Sequence, residues 1–184
     1  LADGRRFTAP VIAAGVHPQV LFGDLIDPAV TPHDFARRIR AYRSESATFR
    51  MNLALSELPR FDSVDHNARG LLAMQNTIDI CPSLAYIDNA YADAQHRGWA
   101  REPVVSMSIP TLLDDSLAPP GHHVMSLFCQ HFRRELPDGR GWDEVREEVA
   151  DRVVDAVAAY APNLKSAIVG RQIKSPQDIE RDLN

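Results

Sequence analysis

Hydrophobic and polar residues alternate in two parts of the chain in the way that a half-buried β-strand requires. Residues 48–56 alternate strictly, with hydrophobic positions at Phe49, Met51, Leu53 and Leu55. A second run alternates between hydrophobic residues and serines: Val105, Ser106, Met107, Ser108 and Ile109. Each run predicts a strand with one face in a core and the other face polar.

Three further stretches have strand character. Residues 123–132 are hydrophobic on both faces, which favours a central strand covered on both sides. Residues 168–173 form a fourth candidate strand. The apolar run from Thr8 to Gly15 predicts a buried strand that ends at a tight loop, formed by Val16, His17 and Pro18.

Helical spacing of hydrophobic residues, together with capping residues, marks four helices. Capping and proline signals place their starts at Thr31–Pro32, Pro82–Ser83, Trp142 and Ser175–Pro176. The second helix ends at Arg97–Gly98, and the third, which is the longest, continues to Ala161 before Pro162 stops it. The apolar stripe predicted for the second helix consists of Leu84, Ile87, Tyr91 and Ala94.

The order of these elements predicts an α+β fold. Strands and helices alternate, but two of the strands are half-polar. This favours a mixed, largely antiparallel sheet with helices packed on one face. Residues 59–81 lack a sustained period and are predicted to be a long connection that contains one short helix or strand.

Both ends of the sequence have the character of interrupted elements. Asp3–Gly4 ahead of an apolar run is typical of a two-residue hairpin turn, but the strand that precedes such a turn is missing. At the other end, the helix that begins at Ser175–Pro176 runs only to Asn184. We therefore expect the chain to be a portion of a longer protein.

Charge and composition disfavour several classes of partner. The net charge of -5 comes from interspersed carboxylates and arginines, so nucleic acid is not an expected partner. No window reaches the ~18 uninterrupted apolar residues of a membrane span. Cys81 and Cys129 are far apart in sequence, which indicates core thiols in a reducing, cytoplasmic compartment. Abundant Arg and Ala with little Lys indicate a GC-rich bacterial genome.

No motif in the chain supplies catalytic chemistry by itself, and the sequence identifies no catalytic residue. The glycines are scattered, so there is neither a GxGxxG motif nor a Walker loop to bind a dinucleotide. His122 and His123 are adjacent on a predicted strand and point to opposite faces, so no metal site is predicted. Asp114 and Asp115 lie in a Pro-rich loop and are interpreted as turn residues.

Four stretches, taken in order, resemble one known family. The most specific is residues 109–128, IPTLLDDSLAPPGHHVMSLF, which is similar to a long strand-loop-strand element of that family. The other three stretches are residues 2–18, 141–163 and 170–181. Together they resemble the phytoene-dehydrogenase-like branch of the flavin amine oxidase superfamily, the group that contains the pyridine nucleotide-disulphide oxidoreductase domain-containing proteins.

The resemblance implies an enzyme with a Rossmann-type flavin domain and an inserted substrate domain. Residues 1–20 are then the remnant strand of the flavin-domain side, and residues 21–184 are the substrate-binding domain with its C-terminal end truncated. The family's glycine-rich flavin motifs would lie outside this chain. FAD is therefore expected in the full-length protein and not in this chain, which alone is expected to be inactive.

The resemblance also implies where the substrate and the flavin would approach this chain. An apolar or amphipathic small molecule would transfer a hydride from a C–H bond to the flavin, and the protein would align that carbon. Backbone near the flavin is expected at Gly15, Val16 and His17; an ordinary bend at the end of a strand is the alternative. Asn52, Ser106 and Ser108 are expected to line the substrate pocket; plain exposure to solvent is the alternative.

Two other interpretations of the same residues stay open. The chain is a stand-alone module that binds a ligand or a protein without redox activity, or its structure depends on a homo-oligomer. In the second case the unpaired edge of the predicted strand over residues 7–14 would pair with a copy of itself.

Overall fold

The computed structural model describes residues 4–43, 46–65 and 67–183. The chain divides into two compact units, residues 1–44 and residues 45–184. His66 lies outside the described residues. Asp3, the first residue of the hairpin turn predicted at Asp3–Gly4, lies outside them as well.

The first unit consists of short helical segments joined by irregular backbone. They are α1 (Pro18–Val20), a π-helical turn (Leu21–Leu25), a 3-10 turn (Pro28–Val30) and α2 (His33–Arg40). α2 confirms the helix predicted to begin at Thr31–Pro32. None of the described residues of this unit is fully buried. Its main aromatic contact joins Phe22 and Phe35 edge to face, with 4.8 Å between the ring centroids.

The prediction of a buried strand from Thr8 to Gly15 is wrong. These residues have irregular backbone, and Val11 and Ile12 are 83% and 76% exposed. A strand is stable only when a neighbouring strand accepts its backbone hydrogen bonds. None of the described strands pairs with this segment. The strand edge invoked for self-pairing over residues 7–14 is therefore not formed, and the homo-oligomer stays a prediction without that support.

The second unit is built on a five-stranded antiparallel sheet, which confirms the α+β class. Its strands are β1 (Ala47–Leu55), β2 (Ile78–Ile80), β3 (Trp99–Ser108), β4 (His123–Phe132) and β5 (Ile168–Lys174). They lie in the order β2-β3-β4-β1-β5, and every neighbouring pair is antiparallel. All four strands predicted in this part of the chain are present. β2 is additional and lies, with helix α3 (Ala68–Met74), in the connection predicted over residues 59–81.

The core lies on one face of this sheet, against helix α5 (Trp142–Ala158). The hydrophobic residues of β1 at 49, 51, 53 and 55 are all at most 1% exposed, as their alternation predicts. α5 contributes a stripe of buried residues to the same core: Trp142, Val145, Val149, Ala150, Val153, Val154 and Val157. The helix ends three residues before Ala161, so Pro162 does not itself stop it.

β4 is central, as predicted, but it is not covered on both sides. Met125, Leu127 and Cys129 are fully buried, whereas the opposite face, with Val124 and Phe128, is only half-buried. The sequence shows that both faces are hydrophobic, but how completely each is covered depends on which helices pack there. One face is packed by the core that includes α5, and the other remains partly open.

Helix α4 (Leu84–Arg97) has the predicted ends and a different buried face. Ser83 accepts a hydrogen bond from the backbone N–H of Tyr86, and Gly98 ends the helix with a φ of 94°. The residues that pack are the small Ala90 and Ala94, while Leu84 is 81% exposed and Tyr91 50%. The predicted stripe is wrong at those two positions, because small residues allow a helix to lie close to neighbouring backbone.

Two short helices lie before and after β5. α6 (Leu164–Ala167) is a short turn before β5, and α7 (Pro176–Leu183) follows β5 at the predicted Ser175–Pro176 start. No helix of the described residues is long and apolar enough to cross a membrane.

Candidate functional site

The face of the sheet opposite the core is accessible, and we call it the open face. On β1 it carries Arg50, Asn52 and Ala54, all of which are exposed. Along β3 and β4 the corresponding positions are half-buried or exposed.

Strand register places the predicted substrate residues side by side on the open face. Asn52 is paired with Ser126 of β4 on one side and with Gln172 of β5 on the other, and Ser108 of β3 is also paired with Ser126. The result is a polar row across four strands, formed by Gln172, Asn52, Ser126 and Ser108. Directly paired residues of antiparallel strands lie about 4.5–5.5 Å apart at Cβ, so neighbours in this row can contact one ligand.

The amides in the polar row fix one another. The Nδ2 of Asn52 donates a hydrogen bond to Oε1 of Gln172 over 3.0 Å. This leaves the side-chain oxygen of Asn52 and the hydroxyls of Ser108 and Ser126 without a hydrogen-bond partner among the described residues. These groups are therefore available to donate to or accept from a bound molecule.

Ser106 lies in the next row, two residues along the strands. This row consists of Lys174, Arg50, Phe128, Ser106 and Asp79. Ser106 Oγ donates to the carboxylate of Asp79, and the guanidinium of Arg50 lies over the ring of Phe128 at 5.1 Å from its centroid. The second row is thus already paired internally, and it combines an aromatic surface with fixed charges.

Sequence reasoning found three members of the open face and missed the others. Asn52, Ser106 and Ser108 lie on one face of the sheet, as predicted, and their contact with a substrate stays a prediction. Ser126, Gln172 and Phe128 were missed. The two-residue period of β4 and β5 could have indicated that these residues share a face. Which of them lies beside Asn52 depends on the strand register, and the pattern of a single strand does not determine register.

The predicted flavin-proximal residues lie in the first unit and form a bend. Gly15 and Val16 are exposed, and His17 precedes α1, where its Nδ1 accepts a hydrogen bond from the backbone N–H of Gln19 over 3.2 Å. The His17 ring also contacts Tyr42 edge to face at 5.7 Å. A Cβ added at Gly15 would meet no atom within 4 Å. These residues do not form a pyrophosphate cradle by themselves.

A second candidate site in the second unit is an apolar pocket of about 330 Å³ beside His123. Its lining includes Leu58, Leu71, Met74 and His123. Thr111 Oγ1 accepts a hydrogen bond from the backbone N–H of Val124. The hydroxyl proton of Thr111 is therefore available to His123 Nδ1, which lies 3.2 Å from Oγ1. Burial, and secondly the nearby His122, lower the pKa of His123, which favours a neutral imidazole in this pocket.

The two cysteines have different environments. Cys129 is fully buried in β4, and burial raises the pKa of its thiol, so it is an inert core residue as predicted. Cys81 is exposed, so the prediction that both thiols lie in the core is wrong for Cys81. Within the described ranges no three His, Cys, Asp or Glu side chains come together in a way that could hold a metal ion.

Comparison with known proteins gives relatives over nearly the whole chain. Pyridine nucleotide-disulfide oxidoreductase domain-containing protein 2 of Rattus norvegicus is 34% identical over 186 residues, which cover 98% of this chain and 32% of the relative. Prolycopene isomerase 2, chloroplastic, of an Oncidium hybrid cultivar is 33% identical over 190 residues, covering 100% of this chain and 28% of the relative. Prolycopene isomerase of Arabidopsis thaliana is 31% identical over 193 residues, covering 100% and 28%.

The chain spans about a third of the length of these curated relatives. No family model matches it. The resemblance deduced from the four sequence stretches is nevertheless confirmed, because the relatives carry the name expected from that resemblance and the match covers the chain almost from end to end.

Proposed function

Because this chain is homologous to one segment of the pyridine nucleotide-disulfide oxidoreductase domain-containing proteins, we propose that it is the substrate-domain portion of an FAD-dependent oxidoreductase. The open face is proposed to be the wall against which a small molecule lies. Residues 1–20 would belong to the flavin-domain side and residues 21–184 to the substrate-binding domain. The proposed compartment is the reducing cytoplasm of a bacterium, in keeping with the unpaired Cys81 and Cys129.

FAD, when bound, supplies a hydride acceptor for a substrate C–H bond. The described residues of this chain do not fit the group by themselves, since the bend at Gly15, Val16 and His17 offers no cradle for a pyrophosphate. We therefore propose only that this bend approaches the flavin in the complete protein. The cofactor would be held by segments outside the 184 residues.

The polar row is the observation that carries the proposal. Asn52, Ser108 and Ser126 present hydrogen-bonding groups that no described protein group occupies, on a rigid antiparallel sheet. Phe128 in the adjacent row supplies apolar surface. The open face thus combines many polar and charged side chains with one aromatic ring, and such a surface orients an amphipathic molecule, because contacts with the apolar part contribute to binding and the polar groups fix direction. The name of the relative prolycopene isomerase supports an elongated polyene as the substrate class.

The test uses the product of the complete coding sequence that contains this chain. The purified protein is expected to be yellow with a flavin absorption spectrum, and prolycopene in detergent micelles is expected to perturb that spectrum in a saturable way. Asn52→Trp would place a large ring across the polar row. We expect it to weaken the apparent affinity by about tenfold or more through steric exclusion.

Asn89→Trp is the matched control for this experiment. Asn89 is an exposed asparagine on α4 and is not a member of the polar row, so the same substitution there should leave the titration unchanged. A complete protein without bound flavin would overturn the assignment to flavin enzymes. Equal effects of Asn52→Trp and Asn89→Trp would overturn the role of the open face.

A stand-alone binding module is the second candidate function. It is favoured by the core of the second unit, which is built from that unit's own strands and helices and leaves the open face accessible. Under this proposal the 184-residue chain binds its ligand with the same affinity in the absence of FAD. Loss of binding when FAD is removed from the complete protein would exclude it.

A further inference from the structure

A cavity of about 490 Å³ in the second unit shares no lining residue with the two rows of the open face. It is bounded by the C-terminal end of α4, the start of β3, the loop at Pro137–Arg140 and the middle of α5. Four arginines line it: Arg97, Arg101, Arg140 and Arg152. We call this cavity the arginine pocket.

The charge of the arginine pocket opposes that of the protein as a whole. Its four guanidinium groups face two lining carboxylates, Asp138 and Glu148, and a third, Asp93, pairs with Arg97 and Arg101, in a chain whose net charge is -5. Guanidinium groups that share a cavity repel one another unless anions lie between them. The arrangement therefore has an electrostatic excess that a bound anion would neutralise.

Two of the four arginines are held in place by the protein. Arg101 Nε and Nη2 both donate to the carboxylate of Asp93 at 2.9 Å. Arg140 donates to Asp138 over 2.8 Å and lies over the ring of Trp99, 5.4 Å from the ring centroid. These pairs fix one wall of the pocket as a flat aromatic and cationic surface.

The other two arginines are not satisfied. Arg152 forms no hydrogen bond or ion pair with any residue in the described part of the chain, although Glu148 is one helical turn before it. Arg97 approaches only Asp93, at 3.9 Å. That carboxylate already accepts three hydrogen bonds from Arg101, which include its backbone N–H. Both guanidinium groups keep free donors.

We propose that the arginine pocket binds the phosphate group of a small ligand, with Arg152 and Arg97 as its donors. A planar guanidinium matches two oxygens of a phosphate, and a dianion satisfies two such groups at once. The volume exceeds that of a single phosphate, so the pocket also accommodates the group to which the phosphate is attached, against Trp99 and Arg140. The open face and the proposed flavin chemistry play no part in this inference.

Calorimetric titration of the whole chain with sodium pyrophosphate and, separately, with inorganic phosphate tests the proposal. We expect saturable binding that weakens as salt is raised, because the donors are exposed. Arg152→Gln is expected to weaken pyrophosphate binding about fivefold to tenfold, as the loss of one charge-assisted contact at an accessible site. Arg97→Gln is expected to act in the same direction and provides an independent variant.

Arg69→Gln is the matched control, because Arg69 is an exposed helical arginine on α3 outside the pocket and the substitution removes the same charge. Binding that depends only on net charge would weaken equally in Arg69→Gln and Arg152→Gln, and this result would overturn the proposal. Absence of saturable pyrophosphate binding at low salt would overturn it as well. Tighter binding of pyrophosphate than of inorganic phosphate would identify a substituted phosphate as the ligand.

Discussion

Residues 8–15 and residues 48–56 both contain strongly apolar runs, yet only the second run is buried. In the first, Val11 is 83% exposed and the backbone is irregular. In the second, Phe49 and Leu53 are fully buried within β1. The difference lies outside the runs themselves. β1 has β4 on one side and, from Arg50 to Leu55, β5 on the other, whereas no described strand accompanies residues 8–15.

An apolar run is therefore not enough to form a strand. Whether the strand forms depends on neighbouring strands and packing layers. A buried strand needs partners for its N–H and C=O groups and a packing layer on at least one face. The second unit supplies both, through the sheet and α5. The first unit has no fully buried side chain among its described residues, so substitutions there should affect the unfolding free energy very little.

The largest expected effect comes from removing the central aromatic residue of the second unit. Trp142 is 2% exposed, packs at tilted ring angles against Phe49, Phe132 and Trp99, and donates through Nε1 to the carbonyls of Arg133 and Arg134. Trp142→Ala should lower the free energy of unfolding by about 3–5 kcal/mol, because it leaves a cavity in a packed core. Chemical denaturation monitored by circular dichroism measures this change.

Val11→Ala is the counterpart in the first unit. Its side chain is exposed, so the free energy of unfolding should change by less than about 0.5 kcal/mol. A destabilisation by Val11→Ala comparable to that of Trp142→Ala would contradict the comparison, because it would mean that the apolar run of the first unit is buried.

Two glycines provide the next contrast. Gly98 has a φ of 94° at the end of α4, and a Cβ there would lie 2.6 Å from Leu136 Cδ2. Gly98→Ala should therefore cost about 2 kcal/mol, from the left-handed backbone and from displacement of Leu136. Gly15 has neither feature, so Gly15→Ala should leave stability unchanged or slightly higher.

Thermal unfolding of both glycine variants checks this second prediction. The glycine variants also separate folding from the proposed flavin approach. If Gly15→Ala alters flavin absorbance in the complete protein without changing the melting temperature, the bend acts on the cofactor. Equal melting temperatures for Gly98→Ala and the unsubstituted chain would contradict the strained end of α4.

Local signals predicted much of this fold. Ser83 and Gly98 mark the two ends of α4 as expected, because a capping side chain and a left-handed glycine act within one helical turn. The alternation in β1 identified its buried face correctly. Leu84 and Tyr91 were assigned to the wrong face of α4, because the helix packs through Ala90 and Ala94. Small residues carry little hydrophobic signal, so a stripe of alanines is easily missed.

The candidate sites were harder to predict because they depend on contacts between distant segments. Asn52 and Ser108 were expected on polar strand faces, but their shared neighbour Ser126 follows only from the register of β4 against both β1 and β3. The arginine pocket draws its residues from α4, β3, a loop and α5. In the sequence, Arg97 and Arg152 are single charges on the polar faces of two helices, and no local pattern connects them.

The smallest expected difference between the two units concerns a paired carboxylate in each of them, Asp178 and Asp34. Asp178 near the start of α7 is 6% exposed and accepts hydrogen bonds from Ser175 N and Oγ at 2.9 and 2.8 Å. Burial raises the pKa of Asp178, but the bonds from Ser175 and the charges of Arg146 and Arg181 outweigh it and lower the pKa overall. In α2 of the first unit, Asp34 and Arg37 also pair, but their side chains are 81% and 71% exposed.

Asp178→Asn should therefore lower the unfolding free energy by about 1–2 kcal/mol at neutral pH, as the loss of a buried helix cap does. Because the pKa of Asp178 is lower in the folded state, its contribution is complete above the unfolded carboxyl pKa of about 3.9 and is lost as the pH falls through the folded pKa. The difference between Asp178→Asn and the unsubstituted chain should consequently shrink on acidification below that value. Asp34→Asn should show no measurable difference at any pH, since an exposed pair contributes little. Urea denaturation of both variants between pH 7 and the acid limit of folding measures the two differences, and a pH-independent effect of Asp178→Asn would show that its charge does not stabilise α7.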